Sequence, residues 1–324
     1  MRRIEELNTF LITNEELKGT IEEIGWKDFI AEIKSGFEHS SLGYGIAPPK
    51  VYVNTEVSDM RCMPAYLPKY NLHYCGVKIV SVAPGNERFG VPTVLGEYLL
   101  RDAETQQLIA ILQAEEMTAY RTGAATGVAT DALARKDCEV LGIIGAGKQA
   151  PYQAKAILTV RPSIDRIKVF NTTERHAIRF KAEYESEFGV DIAVARLEDA
   201  MDADIVTTVT PATKPFISPE LIKPGMHLNG VGADSKTKIE FYPEALKKCR
   251  IFVDALSQCK HSGEIYQGLE RGIVKEEDLV PLGDVLLGKA RGRTSEEDIT
   301  FFKSTGVAVE DLITAILVFE KLKQ

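Results

Sequence analysis

Residues 140–150 read VLGIIGAGKQA, an apolar run that breaks into glycines and then continues as a helix-like segment. In a dinucleotide-binding loop of this G-x-G-x-x-A form, Gly145 permits the tight turn, Gly147 lets the backbone approach a pyrophosphate, and Ala150 allows close packing of helix on strand. The amides at the start of the helix then face an anion. Because the loop follows an apolar strand and opens a βαβ pattern, it favours nucleotide binding over a plain turn without a ligand.

The sequence around this loop alternates short apolar runs with helical patterns, from about residue 138 onward. The predicted strands are EVLGIIG, DRIKVF, DIAVAR, DIVTTVT, MHLNGVG and RIFVD, and the predicted helices are YQAKAILTV, TERHAIRFKAEYESEF and FYPEALKKC. Such alternation is typical of a parallel sheet covered by helices on both faces. We therefore predict an α/β fold, with a Rossmann-type doubly wound sheet over residues 122–304.

Residues 1–121 carry a different pattern, in which strand-like runs follow one another without crossover helices. After a predicted helix, WKDFIAEIKSGFEHSSLG, come KVYVNT, HYCGVKIVSVAP and two runs around the turn-prone DAETQ. This pattern predicts a mostly antiparallel α+β domain. A long helix, EMTAYRTGAATGVATDALARKD, is predicted to join the domains, and an amphipathic last helix, GVAVEDLITAILVFEKLKQ, to return to the first. The first domain thus comprises residues 1–121 with 305–324.

The charge and composition of the chain narrow the class of partner. A net charge of −8 over 324 residues argues against DNA, RNA or an anionic membrane surface and favours a small molecule. The N-terminus lacks the apolar core of a signal peptide, so a cytoplasmic location is expected. The five cysteines contain no CxxC pair, and no metal site is predicted.

The segment VFNTTER, at the end of the second predicted strand of the Rossmann domain, bears on the choice of cofactor. An NAD-binding unit usually places an acidic residue there to hold the ribose diol. This chain has Asn171, Thr172 and Thr173, followed by Arg175. Hydroxyls and a guanidinium suit a 2′-phosphate, so NADP(H) is modestly favoured over NAD(H). The alternative is that Asn171 and Thr173 merely cap the next helix.

Eight short segments together resemble the ornithine cyclodeaminase/mu-crystallin family. In family order they are PPKVYV, MRCMPAYL, GVKIVSVAPGN, YRTGAATGVA, GIIGAGKQA, NGVGADSKTKIE, HSGEI and KSTGVAVED. The resemblance covers nearly the whole chain and, within the family, is to an archaeal alanine dehydrogenase-like member. It implies a homodimer whose first domain binds substrate and forms the interface, while the Rossmann domain binds a nicotinamide cofactor.

Site residues follow from the motifs and the resemblance together. The predicted substrate-binding residues are Lys50, Arg61, Met63, Lys78 and Arg121. The predicted cofactor-binding residues are Arg121, Thr122, Gly145, Ala146, Gly147, Lys148, Gln149, Asn171, Thr172, Thr173, Arg175, Thr208, Thr210, Gly232, Asp234 and Gly306. For Arg121, a salt bridge between the domains is the alternative.

Chemistry on an amino acid requires a carboxylate clamp and a group that moves protons. Arg61 with Lys78 could hold the carboxylate by charge-assisted hydrogen bonds. Asp234 follows the fifth strand of the parallel sheet, where doubly wound folds place ligands, and is the predicted general acid/base. Lys78 is the alternative, because it lies inside the apolar run CGVKIVSV, where a charge needs a partner or a function.

The leading functional prediction is an NAD(P)-dependent oxidoreductase acting on the C–N bond of a small amino or imino acid. Alanine dehydrogenase-like activity and reduction of a cyclic or N-substituted ketimine both satisfy it. Two alternatives are an ornithine cyclodeaminase, a lyase with bound NAD, and a crystallin-like NADPH-binding protein without turnover. Arg61 disfavours ornithine, because cyclodeaminases carry a glutamate there for the distal amine. Ser235, Lys236 and Thr237 also depart from the family's Pro-Gly after the acid/base aspartate.

Overall fold

The computed structural model describes residues 1–5, 8–68, 70–71 and 73–324. The chain folds as two compact units, which are Met1–Arg121 with Val307–Gln324, the first unit, and Thr122–Gly306, the second unit. Helix α3, Glu115–Leu133, contributes its first residues to the first unit and the rest to the second. No helix in the described ranges combines the length and apolar character needed to cross a bilayer.

The first unit is built on a seven-stranded sheet with the order β1-β2-β7-β6-β5-β4-β3. Its strands are β1 Arg2–Ile4, β2 Thr9–Ile12, β3 Val51–Asn54, β4 Asp59–Tyr66, β5 Tyr74–Val82, β6 Val94–Asp102 and β7 Leu108–Gln113. All neighbours pair antiparallel except β2 and β7, which run parallel. The predicted mostly antiparallel α+β unit is confirmed.

Helices cover one face of this sheet. They are α1 Asn14–Ile24, α2 Trp26–Ser41 and α10 Ala308–Lys323. The last helix was expected to be amphipathic, but it is buried on almost every side, because β4, β5 and β6 lie on one flank and α1 and α2 on the other. The contact with α2 is close: a Cβ at Gly36 would lie 2.2 Å from Ile313 Cδ1. This enclosure places the acidic side chains at the start of α10 inside the unit.

The second unit is a doubly wound domain on an eight-stranded, wholly parallel sheet, ordered β10-β9-β8-β11-β12-β15-β13-β14. The strands are β8 Val140–Ile144, β9 Arg166–Phe170, β10 Asp191–Val194, β11 Ile205–Thr208, β12 His227–Gly230, β13 Arg250–Val253, β14 Leu279–Pro281 and β15 Thr300–Lys303. The helices are α4 Ala150–Val160, α5 Glu174–Phe188, α6 Leu197–Met201, α7 Leu256–Cys259, α8 Gly263–Glu270 and α9 Leu282–Leu286. The predicted Rossmann-type fold is confirmed.

Two details of the second unit differ from the sequence predictions. The predicted helix FYPEALKKC is a short 3₁₀ helix, Pro243–Lys248, because only six residues separate its opening proline from the next strand. Strands β14 and β15 were not predicted. Strand β14 has only three residues, and β15 has only Phe301 and Phe302 between the polar Thr300 and Lys303, so neither shows an apolar run or a period.

Candidate functional site

The glycine loop lies at the carboxyl end of β8. Gly145 has φ +104°, which strains any other residue, and a Cβ there would crowd both Thr210 Cγ2 and the Val209 carbonyl oxygen at 3.0 Å. At Gly147, in contrast, a Cβ would meet nothing within 4 Å. Helix α4 begins three residues later, with Pro151 in its first turn. The loop therefore presents open space before a helix N-terminus, and the residues fit a pyrophosphate.

The strand order reverses beside this loop. Strand β8 pairs with β9 on one side and with β11 on the other, so the carboxyl ends of β8 and β11 flank the point where doubly wound folds bind ligands. Thr210 follows β11 and Gly232 follows β12. A Cβ at Gly232 would lie 2.2 Å from the Thr210 carbonyl oxygen, so the two loops are in close contact. The structure thus brings Gly145, Thr208, Thr210 and Gly232 together.

A buried carboxylate that sequence reasoning missed lies beneath these loops. Glu240 is fully buried and accepts hydrogen bonds from Thr208, Thr210 and Gly232. Burial raises the pKa of Glu240, an effect that the nearby Lys303 ammonium opposes. The residue stands eight positions after Gly232, and no local pattern in the sequence distinguishes it from a surface glutamate.

Among the residues after β9, one has a structural role and the others lie on the exposed surface. Asn171 Oδ1 accepts a hydrogen bond from the Ala146 amide at 3.0 Å, and Asn171 Nδ2 donates to the Thr173 carbonyl at 3.1 Å. Asn171 therefore fixes the glycine loop. Thr173 is the N-cap residue of α5 but makes no side-chain cap hydrogen bond, and Thr172 and Arg175 are exposed.

Other predicted cofactor residues of the second unit differ in their surroundings. Lys148 is exposed, Gln149 is half-buried and Thr122 is buried. Asp234 is partly exposed, and its carboxylate accepts a hydrogen bond from Lys238 Nζ at 2.8 Å. Gly306 adopts φ +73°, and its amide donates to the buried Asp254 carboxylate at 2.8 Å.

A buried ion cluster of Lys78, Arg121, Glu310 and Asp311 lies in the first unit. Lys78 Nζ donates to Asp311 Oδ1 at 2.7 Å, and Arg121 Nε donates to the same oxygen at 3.0 Å. Arg121 Nη1 donates to Glu310 Oε2 at 2.8 Å. All partners belong to the first unit, so these bonds are not the salt bridge between domains that was the alternative for Arg121. The two acidic partners were missed because they stand at the far end of the chain.

The environment of Lys78 sets its protonation. Its side chain is 1% exposed. Burial, followed by the positive charge of Arg121, lowers the pKa of Lys78 to about 8, while Asp311 opposes this and Lys50 adds to it. A lysine with this pKa exchanges a proton near neutral pH, as a general acid/base must.

The remaining predicted substrate residues lie beside Lys78. Met63 is the cross-strand partner of Lys78, and Arg61, two residues earlier on β4, is buried on the same side of the sheet. Asp59 accepts hydrogen bonds from Arg61 Nε at 2.7 Å and from Nη2 at 3.2 Å. The Arg61 guanidinium also lies 5.4 Å from the centre of the Tyr52 ring. Arg61 is therefore a held, buried cation rather than a solvated surface charge.

Chemically, the two units supply different functions. The first unit offers buried cations that suit a carboxylate and an amine-bearing group that exchanges protons near pH 8. The second offers the phosphate loop and polar loops at its carboxyl edge. Among the described residues, no group of three or more His, Cys, Asp or Glu side chains is placed to hold a metal ion.

Comparison with known proteins connects these features to a family. Residues 15–324 match the ornithine cyclodeaminase/mu-crystallin family profile. The chain is 38% identical to the alanine dehydrogenase of Archaeoglobus fulgidus over 315 residues, covering 97% of this chain and 95% of that protein.

Two solved structures resemble the whole chain. One is an archaeal alanine dehydrogenase dimer with bound NAD, with a TM-score of 0.92, 37% identity, and coverage of 97% of this chain and 96% of that one. The other is Thermococcus litoralis Delta(1)-pyrroline-2-carboxylate reductase in complex with NADH and L-proline, with a TM-score of 0.92, 32% identity, and coverage of 97% and 98%.

Proposed function

The chain belongs to the ornithine cyclodeaminase/mu-crystallin family, and from this premise we propose that it is an NAD(P)-dependent oxidoreductase of alanine or a similar small amino acid. The nicotinamide cofactor supplies the hydride acceptor or donor. The balanced reaction is amino acid plus NAD(P)⁺ plus water to 2-oxo acid, ammonium, NAD(P)H and a proton. The observation that carries this function is the burial of Lys78 in an apolar sheet, beside Arg61 and Arg121. Its amine exchanges protons, and the two guanidinium groups are cations of the kind that bind carboxylates.

Lys78 is proposed as the acid/base group, with Asp234 as the second candidate. In the oxidative direction a neutral Lys78 accepts a proton from the substrate ammonium, and in the reductive direction its ammonium returns one. Arg61, fixed by Asp59 and Tyr52, is suited to a bidentate bond with the substrate carboxylate. Asp234, paired with Lys238 at the carboxyl edge of the parallel sheet, is the alternative proton carrier.

Reduction of a cyclic ketimine is a second candidate reaction. It is supported by the likeness over 97% of the chain to the Thermococcus litoralis pyrroline carboxylate reductase. In that reaction the imine, NAD(P)H and one proton give the cyclic amino acid and NAD(P)⁺, so the same acid would donate to the ring nitrogen. Ornithine cyclisation is disfavoured because Arg61 would repel the distal ammonium of ornithine.

NADP(H) is proposed as the preferred cofactor. Support comes from the end of β9, where Asn171 holds the glycine loop and the exposed side chains include Thr172, Thr173 and Arg175. Their hydroxyls and guanidinium suit a 2′-phosphate. Replacing Arg175 with Ala would then weaken NADPH binding and leave NADH binding unchanged. Equal affinities of the wild type for both cofactors would contradict the preference.

We also propose a homodimer located in the cytoplasm. The sheet face of the first unit that α10 does not cover carries half-exposed apolar side chains, such as Val77, Ile79 and Leu99, and edge strand β3 is exposed along its length. Apolar area of this kind favours association. Sedimentation at micromolar concentration should give twice the monomer mass of 35.8 kDa. A monomer at that concentration would contradict the proposal.

A substrate panel tests the function. NADPH and NADH oxidation are followed with pyruvate plus ammonia, with pyruvate plus methylamine, and with pyrroline- and piperideine-carboxylates. We expect net cofactor consumption with pyruvate plus ammonia. Ammonia release from ornithine without net cofactor consumption would instead show a cyclodeaminase. Cofactor binding without turnover on any substrate would show a crystallin-like binding protein.

A further inference from the structure

We propose that Glu240 is a positioning residue that holds the loops after β11 and β12 in the conformation that receives the nicotinamide half of the cofactor. The inference rests on the proposed function, since it concerns the same dinucleotide. Glu240 itself lies below the loops, fully buried, and acts through them.

The hydrogen bonds of Glu240 reach both loops. Its Oε1 accepts from the Thr210 amide and from Thr210 Oγ1, each at 2.8 Å. Its Oε2 accepts from Thr208 Oγ1 at 2.7 Å and from the Gly232 amide at 2.9 Å. One carboxylate therefore bridges the ends of two neighbouring parallel strands, where Thr208 is the last β11 residue of the ladder and Thr210 and Gly232 come just after the strands.

These bonds require a carboxylate. Two of the four donors are backbone amides, which cannot turn round to accept, and one amide faces each oxygen. A glutamine side chain must place its NH₂ group against one of these amides, so it loses at least one bond, although the Gly232 amide keeps a second acceptor, the Thr208 carbonyl at 3.0 Å. The ionised form, which only accepts, satisfies all four donors.

A buried countercharge supports this arrangement. Lys303 Nζ donates to Glu264 Oε1 at 2.7 Å, with both side chains 0% exposed, and the Glu240 amide lies 3.4 Å from Glu264 Oε2. Burying charged side chains costs free energy that apolar residues of similar size would not cost. A fully buried and satisfied polar network rigidifies the segments that it joins, here the loop ends after β11 and β12.

The strand order assigns the loops to the nicotinamide half. In a doubly wound fold each half of the sheet binds one mononucleotide, and the dinucleotide crosses the point where the order reverses. The glycine loop and Arg175 belong to the half formed by β8, β9 and β10, which takes the adenosine part. Thr210 and Gly232 follow β11 and β12 in the other half. Glu240 therefore acts on the reactive end of the cofactor.

The test compares Glu240→Gln with Glu244→Gln, a matched control four residues on, whose half-exposed carboxylate pairs with Arg271. Calorimetric titration measures the binding of a dinucleotide and of its adenosine fragment, either NADPH and 2′-phospho-ADP-ribose or NADH and ADP-ribose. The pair used is the one whose dinucleotide the wild type binds more tightly. We expect Glu240→Gln to weaken dinucleotide binding at least ~10-fold, corresponding to about one lost hydrogen bond. Binding of the adenosine fragment should stay unchanged, and the control should bind both like wild type.

Each result decides the question. Equal weakening for dinucleotide and fragment, or no change for either, overturns the role of Glu240 and leaves the proposed function standing. A wild type that binds neither ligand overturns the proposed function and this inference with it. If Glu240→Gln does not fold, hydrogen exchange of the unmodified protein decides instead. Slow exchange of the Thr210 amide without cofactor supports a loop held in advance by Glu240, and fast exchange of this amide overturns the role of Glu240.

Discussion

Asp311 Oδ1 lies 2.7 Å from Lys78 Nζ inside the first unit, across a sequence separation of 233 residues. The same oxygen accepts from Arg121, so one carboxylate fixes the distance between two cations. Its negative charge favours the ammonium form of Lys78, against burial and Arg121, which favour the neutral form. The protonation of the proposed acid/base group is thus a balance that a single substitution can shift.

Replacing Asp311 with Asn should move the pH dependence of the rate toward acid. Losing the carboxylate charge lowers the pKa of Lys78 below its value of about 8, so the neutral base persists at lower pH. The rising limb of kcat/KM for amino acid oxidation should therefore shift to lower pH. Glu38→Gln, on the surface of α2, is the control. If the rising part of the pH profile of kcat/KM does not shift, Lys78 is not the group that transfers the proton.

Lys78→Ala and Asp234→Ala separate the two candidate proton carriers. Removing the side chain that transfers the proton should lower turnover at least ~100-fold and leave cofactor affinity nearly unchanged. Lys34→Met, on the surface, should match wild type. Steady-state rates and cofactor titration give the comparison. Rates like the wild type in both variants would exclude both residues from the mechanism.

Gly147→Val should abolish dinucleotide binding without affecting the fold. A Cβ at this position meets nothing within 4 Å, so valine fills open space that the pyrophosphate requires. The melting temperature should stay close to the wild-type value, in contrast to a substitution of Gly145, where φ is +104° and a Cβ would lie 3.0 Å from Thr210 Cγ2. Unchanged affinity in a folded Gly147→Val protein would show that the phosphates bind elsewhere.

Arg161→Met should destabilise the second unit. The Arg161 guanidinium is buried and donates to the carbonyls of Thr130, Asp131, Ala134 and Arg135, at the carboxyl end of α3, and to the Asp131 carboxylate. Unsatisfied helix-end carbonyls and a lost charged cap should lower the free energy of unfolding by about 3 kcal/mol.

Arg166→Met is the matched control for this substitution. Arg166 pairs with Asp191, both more than half exposed, so its loss should change stability by less than ~0.5 kcal/mol. Urea denaturation of the three proteins measures the difference. Equal stability of Arg161→Met and the control would contradict the capping role.

The sequence predicted the features that local patterns encode. The glycine loop and the alternating elements around it predicted the parallel sheet, because periodicity and turn residues are local signals. Lys78 was noticed because a charge interrupts an apolar run. Its partners Glu310 and Asp311, and the loop-holding Glu240, end two of the family segments, KSTGVAVED and NGVGADSKTKIE, but their roles were missed because pairing across the fold leaves no mark in the neighbouring residues. The sequence predicts an amphipathic last helix for the same reason, since its enclosure depends on elements from the opposite end of the chain.

Isotope transfer tests the central claim most directly. The enzyme is supplied with NADPH or NADH deuterated at the transferred position of nicotinamide C4, together with pyruvate and ammonia or pyrroline-2-carboxylate. Mass spectrometry of the amino acid product then locates the label. Deuterium at the α-carbon, in amounts equal to the oxidised cofactor formed, is the predicted result for an oxidoreductase. Product without deuterium, or label unchanged in the cofactor with every substrate offered, would contradict it.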